Sequence, residues 1–321
     1  TLQDDFTVSG FVATGNGNFI NDNGTAKILY ASGSYTAGAG GTFGTAKIIL
    51  NGTGTLLSSV PTSSVLYNDF EINTSGTITL GANFRYSTGT FTYTTGTVVT
   101  TGNTFIIGTT DATTTLSTDG IVWNNISILN RSTTTLLSDI TCSGAFFTQG
   151  TPSTLNGYNA RITGSLSTAG GSSGSLSGTT TIIFEGSNCS WISGTGTNRL
   201  PTIINSSGTM GLSGATIFNG GTLVYSAGTI EASTNVLTIT GNATLSLGSG
   251  NTWGNFSMPT TSVVTTFTSD VYFAGYFSNG GNNSSYTGLY NMYVGGNFSW
   301  SNSTLNTSGN TLSFILNETD T

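Results

Sequence analysis

The chain has no histidine, and its 321 residues include only six lysines and arginines, four prolines and two cysteines. Charged residues make up 6% of the sequence, against about 25% in an ordinary soluble domain. The lack of histidine excludes catalysis that depends on an imidazole. The few basic residues and a net charge of −7 argue against a nucleic-acid groove, which needs clustered lysine and arginine. No apolar run approaches the roughly 18 residues of a membrane-spanning helix.

Threonine, serine, asparagine and glycine stand where other proteins have charged residues. Glycine alone accounts for 46 positions, and the apolar fraction is 36%. Disordered segments combine low hydrophobicity with high net charge, and the mean hydropathy of +0.08 does not fit that class. The composition therefore indicates a folded chain with an apolar core and an uncharged polar surface.

One segment of the sequence recurs along the chain. Its five copies place equivalent apolar residues at Phe6, Phe84, Ile140, Ile217 and Val271. The intervals alternate between long and short, at 78, 56, 77 and 54 residues. The long interval exceeds the short one by about 21 residues, which is most simply one added coil of a solenoid. We therefore predict an all-β fold, a parallel β-helix (β-solenoid) with roughly 19 residues per coil and a super-repeat of about 131–134 residues.

The local pattern agrees with strands and not with helices. Short alternating runs rich in β-branched and aromatic residues are bounded by glycine and asparagine, as in Gly76–Leu80 and Gly89–Tyr93, which is typical of strands. We expect one continuous solenoid over residues 1–321, with super-repeats at 1–134, 135–265 and 266–321 (partial). Because no atypical capping repeat is visible at either end, we expect a piece of a longer chain or a filament unit.

The sequence resembles the β-strand-repeat proteins over nearly its whole length. The resemblance lies in Gly44–Gly54, followed by Leu66–Ile72 and Gly76–Gly81, and the middle element returns at Trp123–Ile128 and Thr252–Phe256. Residues 200–204 depart from that element. Such repeats occur in very large secreted or surface-anchored, adhesin-like bacterial proteins, and similar repeats occur in phage fibres.

The resemblance implies a non-enzymatic structural or adhesive protein that forms a rigid rod or filament at a cell surface. One alternative is a tail or head fibre of a phage, located in the virion. A second alternative is a β-helix enzyme that degrades polysaccharides. An enzyme should interrupt the repeat with a cluster of acidic and basic residues, and no such cluster is evident, so we expect no catalytic activity.

Asp69 and Glu71 are the one acidic pair that would share a strand face, two residues apart. They could act as the acid and base of a glycosidase. The alternative, which we favour, is a solvated pair on an outer face, because the corresponding positions of the next long repeat are not acidic. Asp139 and Asp270 recur with Asp5 in the repeat, which indicates a role at a turn or corner.

Neither a metal site nor a cofactor is expected. Zinc and copper sites depend on histidine and cysteine, and the oxygen-rich loop Gly15–Gly24 is better explained as a glycine and asparagine corner than as a calcium site. Cys142 and Cys189 are 47 residues apart in sequence, so we expect no disulfide between them. Cys142 replaces Val8 of the first copy and should be a small buried residue.

Aromatic residues make up 11% of the chain. Trp123 and Trp253 occupy equivalent repeat positions and should belong to a stacked core. The segment 272–293 is richer in tyrosine than its copies, and tyrosine can stack on a glycan and hydrogen-bond to it. The positions that could contact a glycan, a surface receptor or a second protomer are Tyr276, Tyr286, Tyr290 and Tyr293. Outward tyrosines with no ligand are the alternative.

We also expect the chain to self-associate, end to end or laterally. Outer faces with so little charge repel one another weakly. The expected partners are therefore further copies of the chain and a glycan or surface receptor, with no nucleic acid and no membrane insertion. The expected location is extracellular, at a cell surface.

Overall fold

The computed structural model describes the chain with gaps and divides it into two compact units, Thr1–Ala160 and Arg161–Thr321. Among the described residues all regular structure is β-strand, and no helix occurs. The predicted single solenoid over 1–321 and its super-repeat bounds remain predictions. The residues described are 4–10, 12–14, 27–37, 46–58, 69–109, 111–129, 131–150, 152–170, 175–192, 196–213, 215–231, 235–260, 262–281, 284–288, 290–301, 304–305 and 314–316.

The first unit consists of short parallel strands, and two longer ones that bend through a corner. The strands are β1 (Phe6–Val8), β2 (Val12–Thr14), β3 (Ile28–Ala31), β4 (Tyr35–Ala37), β5 (Lys47–Leu50), β6 (Gly54–Ser58), β7 (Phe70–Leu80), β8 (Phe84–Tyr86), β9 (Gly89–Val99), β10 (Thr104–Ile107), β11 (Thr113–Ser117), β12 (Val122–Trp123), β13 (Asn125–Ile128), β14 (Thr133–Leu136), β15 (Ile140–Cys142), β16 (Ala145–Gln149) and β17 (Ser153–Gly157). β18 (Ala160–Ile162) runs through the division between the units.

Three strands and three corners make one turn of the first unit. β11, β12 and β13 of one turn pair in parallel with β14, β15 and β16 of the next. Because parallel strands stack about 4.8 Å apart and alternate side chains inward and outward, each strand covers the one before it. The prediction of a parallel β-solenoid is confirmed.

The turns are longer than the sequence predicted, at about 21 residues and not 19. Phe84 stacks in register on Phe105, and Thr104 on Asn125 in the following turn. Ile140 belongs to a different stack of strands, which includes β12. The 56-residue interval from Phe84 to Ile140 is therefore not a whole number of turns, and the predicted coil of roughly 19 residues, one third of that interval, is too short.

The second unit repeats this construction with its own strands. They are β19 (Ser165–Gly170), β20 (Leu176–Gly178), β21 (Ile182–Phe184), β22 (Asn188–Ile192), β23 (Thr202–Ser213), β24 (Ala215–Glu231), β25 (Val236–Ser246), β26 (Thr252–Trp253), β27 (Asn255–Met258), β28 (Val264–Phe267), β29 (Val271–Phe273), β30 (Phe277–Asn279), β31 (Ser285–Thr287), β32 (Met292–Val294), β33 (Phe298–Trp300), β34 (Thr304–Leu305) and β35 (Phe314–Leu316). β27, β28 and β29 of one turn pair in parallel with β30, β31 and β32 of the next.

Aromatic side chains stack along the interior of each unit. In the second unit, Phe256, Phe277 and Phe298 are in register, and their ring centroids are 5.0 and 5.4 Å apart with nearly parallel planes. In the first unit, the Phe105 ring stacks on Trp123 at 4.1 Å. Such contacts stabilise a core beyond the free energy of simple burial.

Each unit contains the same corner, and the two copies are 132 residues apart in sequence. Tyr93 donates a hydrogen bond of 2.6 Å from its hydroxyl to the carbonyl oxygen of Gly96. Tyr225 makes the same 2.6 Å bond to the carbonyl oxygen of Gly228. The sequence repeat therefore corresponds to a repeated local geometry.

Candidate functional site

Basic side chains of both units pair with carboxylates about one turn away in sequence. These pairs link successive turns, so they contribute to the stability of the stack. The pairs are Lys27 with Asp4 at 3.9 Å, Lys47 with Glu71 at 2.5 Å, Arg131 with Asp111 at 3.4 Å, and Arg161 with Glu185.

Glu71 points outward from β7 but is covered by its neighbours. The residue is 8% exposed, because Lys47 from the preceding turn and Thr94 from the following turn lie over it. Burial alone would raise the pKa of Glu71, but the ammonium of Lys47 and the hydroxyl of Thr94 together hold this pKa below its ordinary value. The expectation of a solvated pair is wrong for Glu71.

Asp69, the other member of the acidic pair, lies exposed just before β7. Its Oδ1 accepts a hydrogen bond of 2.8 Å from the backbone N–H of Thr90 in the next turn. Each carboxylate is therefore engaged by groups of its own fold.

The four tyrosines that the sequence singled out lie in different environments. Tyr276 is 36% exposed, and Tyr290 and Tyr293 are half-buried. Tyr286 is 1% exposed and packs against Phe267 and Trp300. Burial raises the pKa of the Tyr286 hydroxyl. The expectation of a surface contact is therefore wrong for Tyr286, because its position in β31 points inward.

Tyr293 has an outward partner that sequence reasoning missed. Its ring stacks on that of Tyr272 at 4.1 Å with parallel planes, because the two residues are in register on β29 and β32. The hydrogen bond between their hydroxyls raises the pKa of Tyr272. A pattern search that compared residues one turn apart would have found this pair.

The expected core residues are where the repeat placed them. Trp123 and Trp253 are buried, as are Cys142 and Cys189, and the two cysteines are not joined by a disulfide. Burial raises the pKa of the Cys142 thiol to about 12 and also raises that of Cys189. Both thiols are therefore protonated and poorly reactive at neutral pH.

The glycine-rich loop considered for calcium, residues 15–24, lies outside the described residues. Within the described part of the chain, no group of three or more histidine, cysteine or acidic side chains could hold a metal ion. The described residues also include no helix long and apolar enough to cross a membrane.

Described residues of the second unit line shallow, uncharged grooves, of which two are considered as candidate sites. The first, with a volume of about 460 Å³, follows a column of threonines, Thr222, Thr244 and Thr266, that are in register over successive turns. The second, which we call the Asn251 groove, has a volume of about 370 Å³. It is lined by Tyr225, Gly228, Thr229, Ile230, Gly250, Asn251 and Thr252.

Comparison of the chain with protein-family models, with curated proteins and with solved structures gave no match.

Proposed function

We propose that this chain is a non-enzymatic structural repeat protein, outside the cell, whose turns form a rigid rod or filament and whose surface supports adhesion. The observation that carries the proposal is the use of side chains to join one turn to the next. Ion pairs such as Lys47 with Glu71 and aromatic contacts such as Phe277 with Phe298 hold successive turns together. Parallel solenoids of this kind give stability that is a sum over neighbouring repeats.

The engagement of the acidic pair favours a structural role over hydrolysis of polysaccharides. A glycosidase needs one carboxyl with a raised pKa as general acid, whereas the pKa of Glu71 is lowered. Glycan cleavage by the purified chain that is lost in an Asp69→Ala variant would contradict the proposal.

Assembly is the second part of the proposal. Outer strand positions are mostly threonine, serine and asparagine, so neighbouring copies repel one another weakly. A lateral or end-to-end contact between copies would extend the rod into a filament.

The location is tested by immunogold electron microscopy on the organism that encodes the chain, with an antibody against the purified protein. Label along the outer cell surface is the expected result. Label confined to virions would favour a phage fibre, and label confined to the cell interior would contradict an extracellular role.

A further inference from the structure

Asn251 is a largely buried residue that lines the Asn251 groove. The residue is 8% exposed, and its amide has no hydrogen bond to any described residue; only its backbone N–H bonds, to the carbonyl oxygen of Gly248 at 3.3 Å. Its amide is not among the polar atoms that are closed off from water without a partner. Because Asn251 lines the Asn251 groove, a ligand bound in the groove could replace water at its amide.

The repeat shows that the fold does not need an amide here. The equivalent residue in the first unit is Ile121, which likewise stands two residues before a buried tryptophan. Its backbone N–H makes the corresponding hydrogen bond, of 3.0 Å to the carbonyl oxygen of Thr118. Ile121 is 2% exposed. An apolar residue therefore satisfies this corner in one unit, and the other unit has a buried amide in its place.

The remaining lining of the groove identifies the ligand class. The Tyr225 ring is held in place by the bond from its hydroxyl to the carbonyl oxygen of Gly228, and Thr229 and Thr252 supply hydroxyl groups. The lining has no charged residue. An aromatic ring, an amide and hydroxyls without charge suit the apolar faces and hydroxyl groups of a sugar. We propose that the Asn251 groove binds a neutral glycan, with the Asn251 amide hydrogen-bonded to a sugar hydroxyl.

The groove continues toward the outward tyrosine pair. Thr252 is in register with Tyr272, and Tyr272 with Tyr293. A glycan longer than the groove, running from turn to turn, would reach these two tyrosines. The proposal specifies the ligand of the adhesive surface and so rests on the proposed function. The structural role does not require glycan binding. Assembly of the chain can be measured separately from glycan binding.

Two variants change the groove by independent routes. Asn251→Ile places the residue of the first unit at this position, so it should remove glycan binding without lowering the thermal unfolding midpoint. Gly250→Gln adds a side chain where an added Cβ would meet no atom within 4 Å, so it should fill the groove without strain. Gly280→Gln is the matched control, because Gly280 has the same open surroundings and does not line the groove.

The experiment is isothermal titration calorimetry of the full chain with cellotetraose, maltotetraose and chitotetraose, and with an oligogalacturonate as the acidic comparison. We expect one neutral oligosaccharide to bind. We expect its affinity to fall about tenfold or more in Asn251→Ile, which corresponds to the loss of one good hydrogen bond, and to fall similarly in Gly250→Gln. Gly280→Gln should bind like the wild type.

Three results would overturn the proposal: no binding of any neutral oligosaccharide, unchanged affinity in both groove variants, or preference for the acidic oligosaccharide. A lower unfolding midpoint in Asn251→Ile would also contradict it, because the amide would then serve the fold. If binding fails while filament assembly is intact, the glycan site is wrong and the structural function stands.

Discussion

The Oδ1 atom of Asp270 accepts a hydrogen bond of 2.8 Å from the backbone N–H of Asn291, which lies at the same position one turn further along. At this corner before a strand, the side-chain oxygen accepts the hydrogen bond that a backbone carbonyl oxygen would accept within a strand. Each donor in this set follows its acceptor by 20 to 23 residues. The pairs are Asp5 with Ile28, Asp69 with Thr90, Asn83 with Thr104, Asn125 with Ala145, Asp139 with Asn159, Asn242 with Val264, Asn255 with Tyr276, and Asp270 with Asn291.

Removing one of these side chains should loosen the corner that it closes. In Asp139→Ala, the backbone N–H of Asn159 loses its acceptor, and we expect a loss of about 1 kcal/mol in the free energy of unfolding. Asp139→Asn keeps an Oδ1 acceptor and should lose much less. Urea unfolding of both variants measures the difference. Equal losses would mean that the negative charge, and not the hydrogen bond, is what matters.

The ion pair between Lys47 and Glu71 predicts a dependence of stability on pH. Because the pKa of Glu71 is lowered in the folded state, its contribution is present above the ordinary glutamate pKa and is lost as the pH falls through the lowered value. We expect Glu71→Gln to be less stable than the wild type at pH 7, by about 1 kcal/mol.

Thermal unfolding of wild type and Glu71→Gln between pH 7 and pH 3 measures this dependence. The difference in unfolding midpoint should shrink toward the acid end of the range. Glu231→Gln, at an exposed position, is the control. A difference for Glu71→Gln that stays constant down to pH 3 would contradict the stabilising ion pair.

Removing a tyrosine hydroxyl should change the stability of the fold differently at Tyr93 and at Tyr286. The Tyr93 hydroxyl bonds to the carbonyl oxygen of Gly96 at 2.6 Å, so Tyr93→Phe should lower stability by about 1 kcal/mol. The buried Tyr286 hydroxyl has no partner among the described residues, so Tyr286→Phe should be neutral or stabilising. Differential scanning calorimetry compares the two. A marked loss in Tyr286→Phe would show that its hydroxyl is bonded.

Close contact between successive turns should make one glycine irreplaceable. Gly157 has a φ of 93°, which favours glycine, and an added Cβ would overlap the carbonyl oxygen of Leu136 in the preceding turn. We expect Gly157→Ala to lower the unfolding midpoint strongly. Gly280→Ala, where an added Cβ meets nothing within 4 Å, should leave the midpoint unchanged. Similar midpoints for the two variants would contradict the close contact.

The repeat made the fold class, the buried tryptophans and the corner role of the aspartates predictable from sequence, because each follows from position in a periodic chain. The length of a turn was not predictable in the same way, since Phe84 and Ile140 look equivalent in sequence but lie on different stacks. The burial of Glu71 depends on side chains from the turns on either side. Asn251 was missed, although comparison with Ile121 would have revealed an amide at an apolar position of the repeat.

The most direct test of the proposed structural role is sedimentation velocity of the purified chain over a wide range of concentrations. We expect the weight-average sedimentation coefficient to rise with concentration as copies join into longer assemblies. A single monomeric species with the same sedimentation coefficient at every concentration would contradict the claim that this chain builds a filament.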